Sequence, residues 1–168
     1  MGSDLLGTIK PMGDLMFKVL EYLADSKKKT TLLRVIRERM LRELRFNLAL
    51  LSGINSLIKK KTDPLAVDQR FNMIQQLSTA SFDVLVESGI ALDDLMPGDL
   101  EWNEKDNRYR QRVSKDQTNS DLLERAYHIF RMQKIYAENR IEKRDDSLHY
   151  AIWLCQSVLE RMKNNVPQ

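Results

Sequence analysis

The feature that most constrains the fold is an apolar stripe of helical spacing early in the chain. Over residues 30–58, apolar residues recur at steps of three and four, and no proline interrupts them. The stripe consists of Leu33, Ile36, Met40, Leu44, Leu48, Leu51, Ile54 and Ile58. This spacing puts its members on one face of an α-helix. At 1.5 Å per residue such a helix is roughly 40 Å long, so other elements have to cover its apolar face.

Similar periodicity predicts the elements that do so. We expect a short helix over 14–24, a helix over 64–88 that residues 78–81 bend or divide, and a helix over 120–140. A last helix is predicted from about Asp145 to Met162. In the third of these helices the residues expected to face inward are Leu123, Tyr127, Phe130 and Ile135. The run FDVLV (82–86) has the composition of a strand, but the chain offers no second strand to pair with it.

Composition agrees with a helical bundle. The chain of 168 residues has only six glycines and four prolines, while 42% of its residues are hydrophobic and 30% charged. Those proportions are typical of a globular, helix-rich domain. We therefore predict one all-α domain over residues 1–168, a bundle of four or five helices with one long helix at about 30–58. Residues 1–13 are expected to be a flexible N-terminal segment.

A long irregular connection is predicted at about 90–119. Its first half contains Leu95, Met96, Leu100 and Trp102, which are expected to pack on the bundle, and its second half contains the basic run RYRQR. Arginine binds phosphate oxygens and an aromatic ring stacks on bases, so this run predicts a nucleic-acid-binding segment. The residues assigned to it are Arg108, Tyr109, Arg110 and Arg112.

A second group of arginines lies on the long helix. It consists of Arg34, Arg37, Arg39, Arg42 and Arg45. These side chains spread over roughly 200° of the helix circumference, and Glu38 and Glu43 lie among them. The interleaved acids favour a solvated, salt-bridged face over a nucleic-acid footprint.

Several classes of protein lose support from the sequence. One cysteine, Cys155, excludes an internal disulfide and is typical of a reducing compartment. We expect a cytoplasmic protein with no membrane partner, because neither a signal peptide nor a long apolar run is recognisable. Gly-rich phosphate loops, nucleophile elbows and CxxC pairs are also missing from the sequence. The net charge of +3 permits contact with nucleic acid without requiring it.

Each of the two histidines has an acidic residue at a helical spacing that suits a pair of metal ligands. Asp146 lies three residues before His149, and Glu124 four residues before His128, so each pair shares a helix face. Neither pair completes the ligand set of a di-iron bundle or a zinc site. We predict no metal and no cofactor. Aromatic and apolar neighbours predict that His128 is partly buried and hydrogen-bonded.

The strongest indication of chemistry is at the start of the last predicted helix. Arg144 precedes His149 by five residues, and the positive end of the helix dipole lies at the same terminus. Histidine can take or give a proton near neutral pH, and arginine forks onto phosphate oxygens. Residues five apart on a regular helix point in directions about 140° apart. Both side chains therefore reach one phosphate only if the helix begins near Asp145.

The segment RDDSLH (144–149) resembles the R-[N/D/H]-x-x-x-H signature of HEPN domains. Those domains are all-α bundles that often act as metal-independent ribonucleases. The resemblance covers six residues together with the helical architecture. It implies that Arg144 binds phosphate, His149 acts as general acid or base, and Asp145 orients them. It also implies RNA as the ligand, a homodimer in which two motifs line one groove, and a role in toxin–antitoxin or phage-defence systems.

Two alternatives remain open. In a purely structural interpretation, Asp145 or Asp146 supplies negative charge at the helix N-terminus, Arg144 is a surface cation and His149 is a boundary residue. The chain is then not necessarily an enzyme. A non-enzymatic helical adaptor or regulatory subunit is the second hypothesis for function. It rests on the long amphipathic helix and predicts a helical protein partner or a second copy of the chain.

Overall fold

The computed structural model describes residues 26–58, 63–102, 108–113, 118–141 and 145–164. Five helices of eight residues or more are present in these ranges. They are α1 (Ser26–Ile58), α2 (Pro64–Gln75), α3 (Ala80–Glu87), α5 (Asn119–Glu138) and α6 (Asp145–Asn164), and the one-turn helix α4 (Leu92–Leu95) precedes α5. The described residues form no β-strand, and the prediction of an all-α bundle is confirmed. The helix predicted at 14–24 and the N-terminal segment 1–13 lie outside the described residues.

Helix α1 is the element around which the others pack. It contacts α6 most extensively and also packs against α2, α3 and α4, while α5 packs against α6 and α2. The predicted stripe is the buried face, although Leu48 and Ile58 are only partly covered. α1 begins at Ser26, a few residues before the predicted start. No described helix combines the length and apolar character needed to cross a membrane.

The segment 64–88 forms two helices, α2 and α3, and α1 holds the break between them. Asn47 is fully buried on α1, where its Nδ2 donates to the carbonyl of Ser78 at 2.8 Å and its Oδ1 accepts from the Ser78 amide at 2.8 Å. One turn earlier, the Glu43 carboxylate accepts from the Ser78 hydroxyl at 2.8 Å and from the Ser81 amide at 2.9 Å. These bonds satisfy backbone groups that no longer have helical partners. The strand-like run 82–86 is part of α3.

The ends of α2 and α3 follow the local sequence. The Asp63 carboxylate accepts from the Leu65 amide at 3.0 Å, and Pro64 occupies the first turn of α2. Gly89 follows α3 with a φ of 69°, a left-handed conformation that glycine adopts without steric cost.

Helix α5 differs from the prediction at its N-terminus and in which residues face inward near its C-terminus. Its N-cap is Thr118, which exchanges hydrogen bonds with Asp121 in a capping box, so the helix begins at Asn119, one residue before the predicted start. Leu123, Tyr127 and Phe130 are buried as predicted. The prediction for Ile135 was wrong, since this side chain is 46% exposed. The inward positions of that turn belong to Gln133 and Ala137, which are buried instead.

The first half of the long connection packs on the bundle as predicted. Leu95 and Met96 are buried, and Leu100 and Trp102 are partly buried against the core. The backbone N–H of Asn119 donates to the carbonyl of Gly98 at 3.0 Å, and this bond joins the connection to the start of α5.

Candidate functional site

An aromatic cluster joins the long connection to the first half of α6. Tyr150 and Trp153 are three residues apart on α6 and therefore share a face. The ring centroid of Trp153 lies 5.2 Å from that of Tyr109, 5.8 Å from that of Tyr150 and 6.3 Å from that of Trp102. Tyr109 and Tyr150 are 5.5 Å apart. Ring pairs at such distances gain stability beyond their buried area, so Trp102 and Tyr109 of the long connection are both held against α6.

Three arginines are exposed around this cluster. Arg108 and Arg112 each lie over the Tyr109 ring, with guanidinium carbons 5.2 and 5.8 Å from its centroid. The guanidinium of Arg112 is also 5.3 Å from the Tyr150 ring. Arg110 begins a short 3₁₀ helix, Arg110–Val113, whose last residue is buried in the core. The predicted basic segment is therefore packed against α6, and its three exposed arginines are here called the arginine surface (Arg108, Arg110 and Arg112).

Tyr109 has a different environment from the one that base stacking requires. Its side chain is only 7% exposed, and its ring is covered by Tyr150 and Trp153 of the same chain. Tyr109 thus anchors the arginine surface to α6 in this structure.

The predicted motif lies at the first turns of α6. The helix begins at Asp145, as the sequence predicted, and this start is the condition under which residues 144 and 149 can address one anion. His149 is partly buried and lies one turn before Trp153 on the same helix face. Arg144 lies outside the described residues. Asp145 is described only as the first residue of α6. The structure therefore places the segment of the arginine surface against the half of α6 that contains His149.

The other histidine is not part of this surface. His128 is exposed on the outer side of α5, beside Asp121, Glu124 and Arg125. The prediction of a partly buried, hydrogen-bonded His128 was wrong. The neighbouring Tyr127 takes the inward position, and a residue one step along a helix points about 100° away from it.

Metal and thiol chemistry find no support among the described residues. Within the described ranges, no three His, Cys, Asp or Glu side chains are close enough together to hold a metal ion. Cys155 is buried, and its thiol donates to the carbonyl of Leu44 at 3.1 Å. Burial raises the pKa of Cys155 to about 12, so the thiol is held in the protonated, unreactive form.

The sequence did not reveal the polar interior beside α1. Glu43 and Asn47 were not singled out as buried residues, although the division at 78–81 that they stabilise was anticipated. Burial raises the pKa of Tyr127, and the negative charge of nearby Glu43 raises it further. Glu43 and Asn47 join α1 to the segment between α2 and α3.

The arginines of α1 follow the prediction with one exception. Arg34, Arg39, Arg42 and Arg45 are exposed, as a solvated face requires. Arg37 is only 5% exposed. Its position four residues before Leu41 and three before Met40 was a signal of burial, because both of those residues lie on or beside the apolar face.

Comparison with known proteins gives no relative for this chain. No protein-family model, no curated protein and no solved structure matches it.

Proposed function

We propose that this chain is a HEPN-like domain that binds the phosphates of single-stranded RNA across the arginine surface and the first turns of α6. One observation carries the proposal: Tyr109 packs against Tyr150 and Trp153, so the segment with three exposed arginines lies against the half of α6 that contains His149. Arginines bind phosphate bidentately, and the N-terminal end of a helix attracts anions. In this proposal Tyr109 contributes by positioning its neighbours.

The finer part of the proposal is metal-independent cleavage by Arg144, Asp145 and His149. His149 takes the proton of a 2′-hydroxyl, the 2′-oxygen attacks the adjacent phosphorus, and the bond from phosphorus to the 5′-oxygen breaks. A second His149, from another copy in a homodimer, protonates the leaving 5′-oxygen. The products are a 2′,3′-cyclic phosphate and a 5′-hydroxyl, and no oxidant or metal is consumed. The role in toxin–antitoxin or phage defence belongs to this same proposal through the resemblance.

The binding part is tested by fluorescence anisotropy of a labelled single-stranded RNA at several salt concentrations. The variant Arg108→Gln/Arg110→Gln/Arg112→Gln should bind more weakly, and its salt dependence should fall by about 2 in slope, given about 0.7 per lost phosphate contact on a single strand. The matched control is Arg39→Gln/Arg42→Gln/Arg45→Gln, which removes the same charge from the exposed side of α1. Equal losses in both variants would mean that only net charge matters, and the arginine surface would not be the binding site.

The cleavage part is tested on the same RNA in EDTA. His149→Ala should slow cleavage about a hundredfold or more, which is the usual contribution of a general acid or base. His128→Ala is the control, because His128 is exposed on another helix. Circular dichroism of both variants serves to check that they are folded. If the parent binds RNA but leaves it intact, the domain is an RNA-binding module and the catalytic roles are refuted.

A second candidate function has an observation of its own. Val35 and Phe46 are 44% and 49% exposed on α1, and positions 35, 39, 42 and 46 share one face of that helix. Exposed apolar residues separated by Arg39 and Arg42 favour a helical protein partner, and a second copy of the chain is the simplest one. Light scattering tests this adaptor function. Phe46→Lys should convert a dimer of the parent to a monomer, whereas a parent that stays monomeric at all concentrations would refute self-association through this face.

A further inference from the structure

A cavity of about 330 Å³ lies between the N-terminal half of α1 and the last turn of α6. Three cations and one acid line it, together with two apolar side chains. They are Arg34, Arg37, Lys163, Glu38, Leu41 and Met162, and Thr30 completes the lining. Lys163 is fourteen residues after His149, so this cavity is roughly 20 Å along α6 from the first turns of that helix. It is a separate feature from the arginine surface.

Arg37 is the unusual member of this lining. Its side chain is 5% exposed, and neither Nη1 nor Nη2 has a hydrogen-bond partner within the described part of the chain. A guanidinium carries five donors and stays charged, so burying it without an acceptor is costly. Burial lowers the pKa of Arg37, and the nearby charge of Glu38 only partly opposes that effect. The two terminal nitrogens form the fork that ordinarily binds two oxygens of one anion.

The charges around Arg37 indicate which anion fits. Arg34 and Lys163 are exposed at the cavity and add two positive charges, against the single negative charge of Glu38. This excess suits a doubly charged phosphate monoester better than a single carboxylate. The volume is that of about ten waters at roughly 30 Å³ each, so it exceeds what a bare phosphate fills. Leu41 and Met162 offer apolar contact to an organic group attached to the phosphate.

We propose that this cavity is a binding site for a small phosphomonoester, and that the Arg37 guanidinium, whose terminal nitrogens are closed off from solvent, turns into the cavity to fork onto two phosphate oxygens. Arg34 and Lys163 contribute long-range attraction and contacts to the remaining oxygen. The proposal is independent of the RNA-binding function, because it uses none of the residues of the arginine surface.

The experiment measures thermal unfolding of the full chain at constant ionic strength with three probes: inorganic phosphate, ribose 5-phosphate and uncharged ribose. Ribose 5-phosphate should raise the melting temperature saturably, and ribose should not. If inorganic phosphate raises the melting temperature as much as ribose 5-phosphate does, the site binds the phosphoryl group alone. A larger shift with ribose 5-phosphate shows that the organic part is bound as well. If neither phosphate probe produces a saturable shift, the proposal is overturned.

Substitutions identify the site. Arg37→Met should abolish the shift and weaken binding at least tenfold, while Arg45→Met, which removes an exposed arginine of the same helix, should leave it unchanged. Without any probe, Arg37→Met should melt at or above the temperature of the parent, because an unpaired buried charge has been removed. A strongly destabilised Arg37→Met would mean that the chain itself supplies the acceptor, and would overturn the proposal. Lys163→Met changes an exposed residue of the cavity and should also weaken the binding of ribose 5-phosphate.

Discussion

Asn47 offers the sharpest test of how this bundle is held together. Its side chain is fully buried and makes two hydrogen bonds to the backbone of Ser78, each of 2.8 Å. Ser78 lies between α2 and α3, where its amide and carbonyl have left the helical pattern. Replacing Asn47 by alanine removes both bonds and leaves those two backbone groups without their partners.

The magnitude follows from the number and kind of bonds lost. Each hydrogen bond contributes about 1 kcal/mol net, and an unpaired buried group costs about 1–3 kcal/mol. Ser78 is only half-buried, so water partly replaces the lost partners. Alanine also recovers roughly 0.6 kcal/mol of helix propensity relative to asparagine. We therefore expect Asn47→Ala to lower the free energy of unfolding by about 2 kcal/mol, which is a fall of roughly 4–8 °C in Tm for a chain of this size.

The assay is urea unfolding followed by circular dichroism, with Asn72→Ala as the control. Asn72 is exposed on α2, so its replacement gains the same helix propensity and loses no buried bond. Asn47→Asp is the informative second variant, because it keeps an acceptor for the Ser78 amide but points a carboxylate at the Ser78 carbonyl. It should be less stable than Asn47→Ala at neutral pH and should recover in acid. If Asn47→Ala and Asn72→Ala unfold within 0.5 kcal/mol of each other, α1 does not hold the break by these bonds.

Two further predictions concern α6. The pKa of Cys155 is raised from 9.0 to about 12 in the folded protein, so the unfolded chain loses this proton at lower pH than the folded chain does. The free energy of unfolding should therefore fall as the pH rises from 9 to about 12, by about 1.4 kcal/mol per pH unit. Urea unfolding between pH 8 and 10.5 should give a shallower decline for Cys155→Ala than for the parent, and identical slopes would contradict the assignment. Trp153→Ala removes the ring that contacts Tyr109, Tyr150 and Trp102, so trypsin should cut after Arg108, Arg110 and Arg112 sooner than in the parent. Mass spectrometry of the early fragments measures this, and an unchanged order of cleavage would show that the aromatic cluster does not hold the segment.

Much of the fold was predictable because helix formation here depends on local spacing. The apolar stripe of α1 required only that residues three and four apart share a face. The start of α6 at Asp145 and the break near 78–81 also followed from neighbouring residues, since caps and turns are short-range features. The same reasoning failed at Ile135, where the hydrophobic side chain is exposed and Gln133 is buried. Spacing alone permits either residue to face the bundle at that point, and the packing partner decides between them.

The candidate site was likewise predictable from the sequence only in part. The sequence identified the arginines of the basic run and His149 as separate features, and their residue types were the reason for predicting phosphate binding and proton transfer. Nothing local could show that Tyr109 packs on Tyr150 and Trp153, because these residues are about forty positions apart and meet only when α6 is in place.

The sequence by itself determined the helices, their ends and the residue types available for chemistry, because these depend on interactions within a few positions along the chain. Tertiary packing decided which otherwise similar residues are covered. It buried Arg37 while leaving Arg34 and Arg39 exposed, made Tyr109 an anchor, and left His128 in solvent. A side chain is buried when another part of the structure packs over it, and that part comes from a distant segment of the chain.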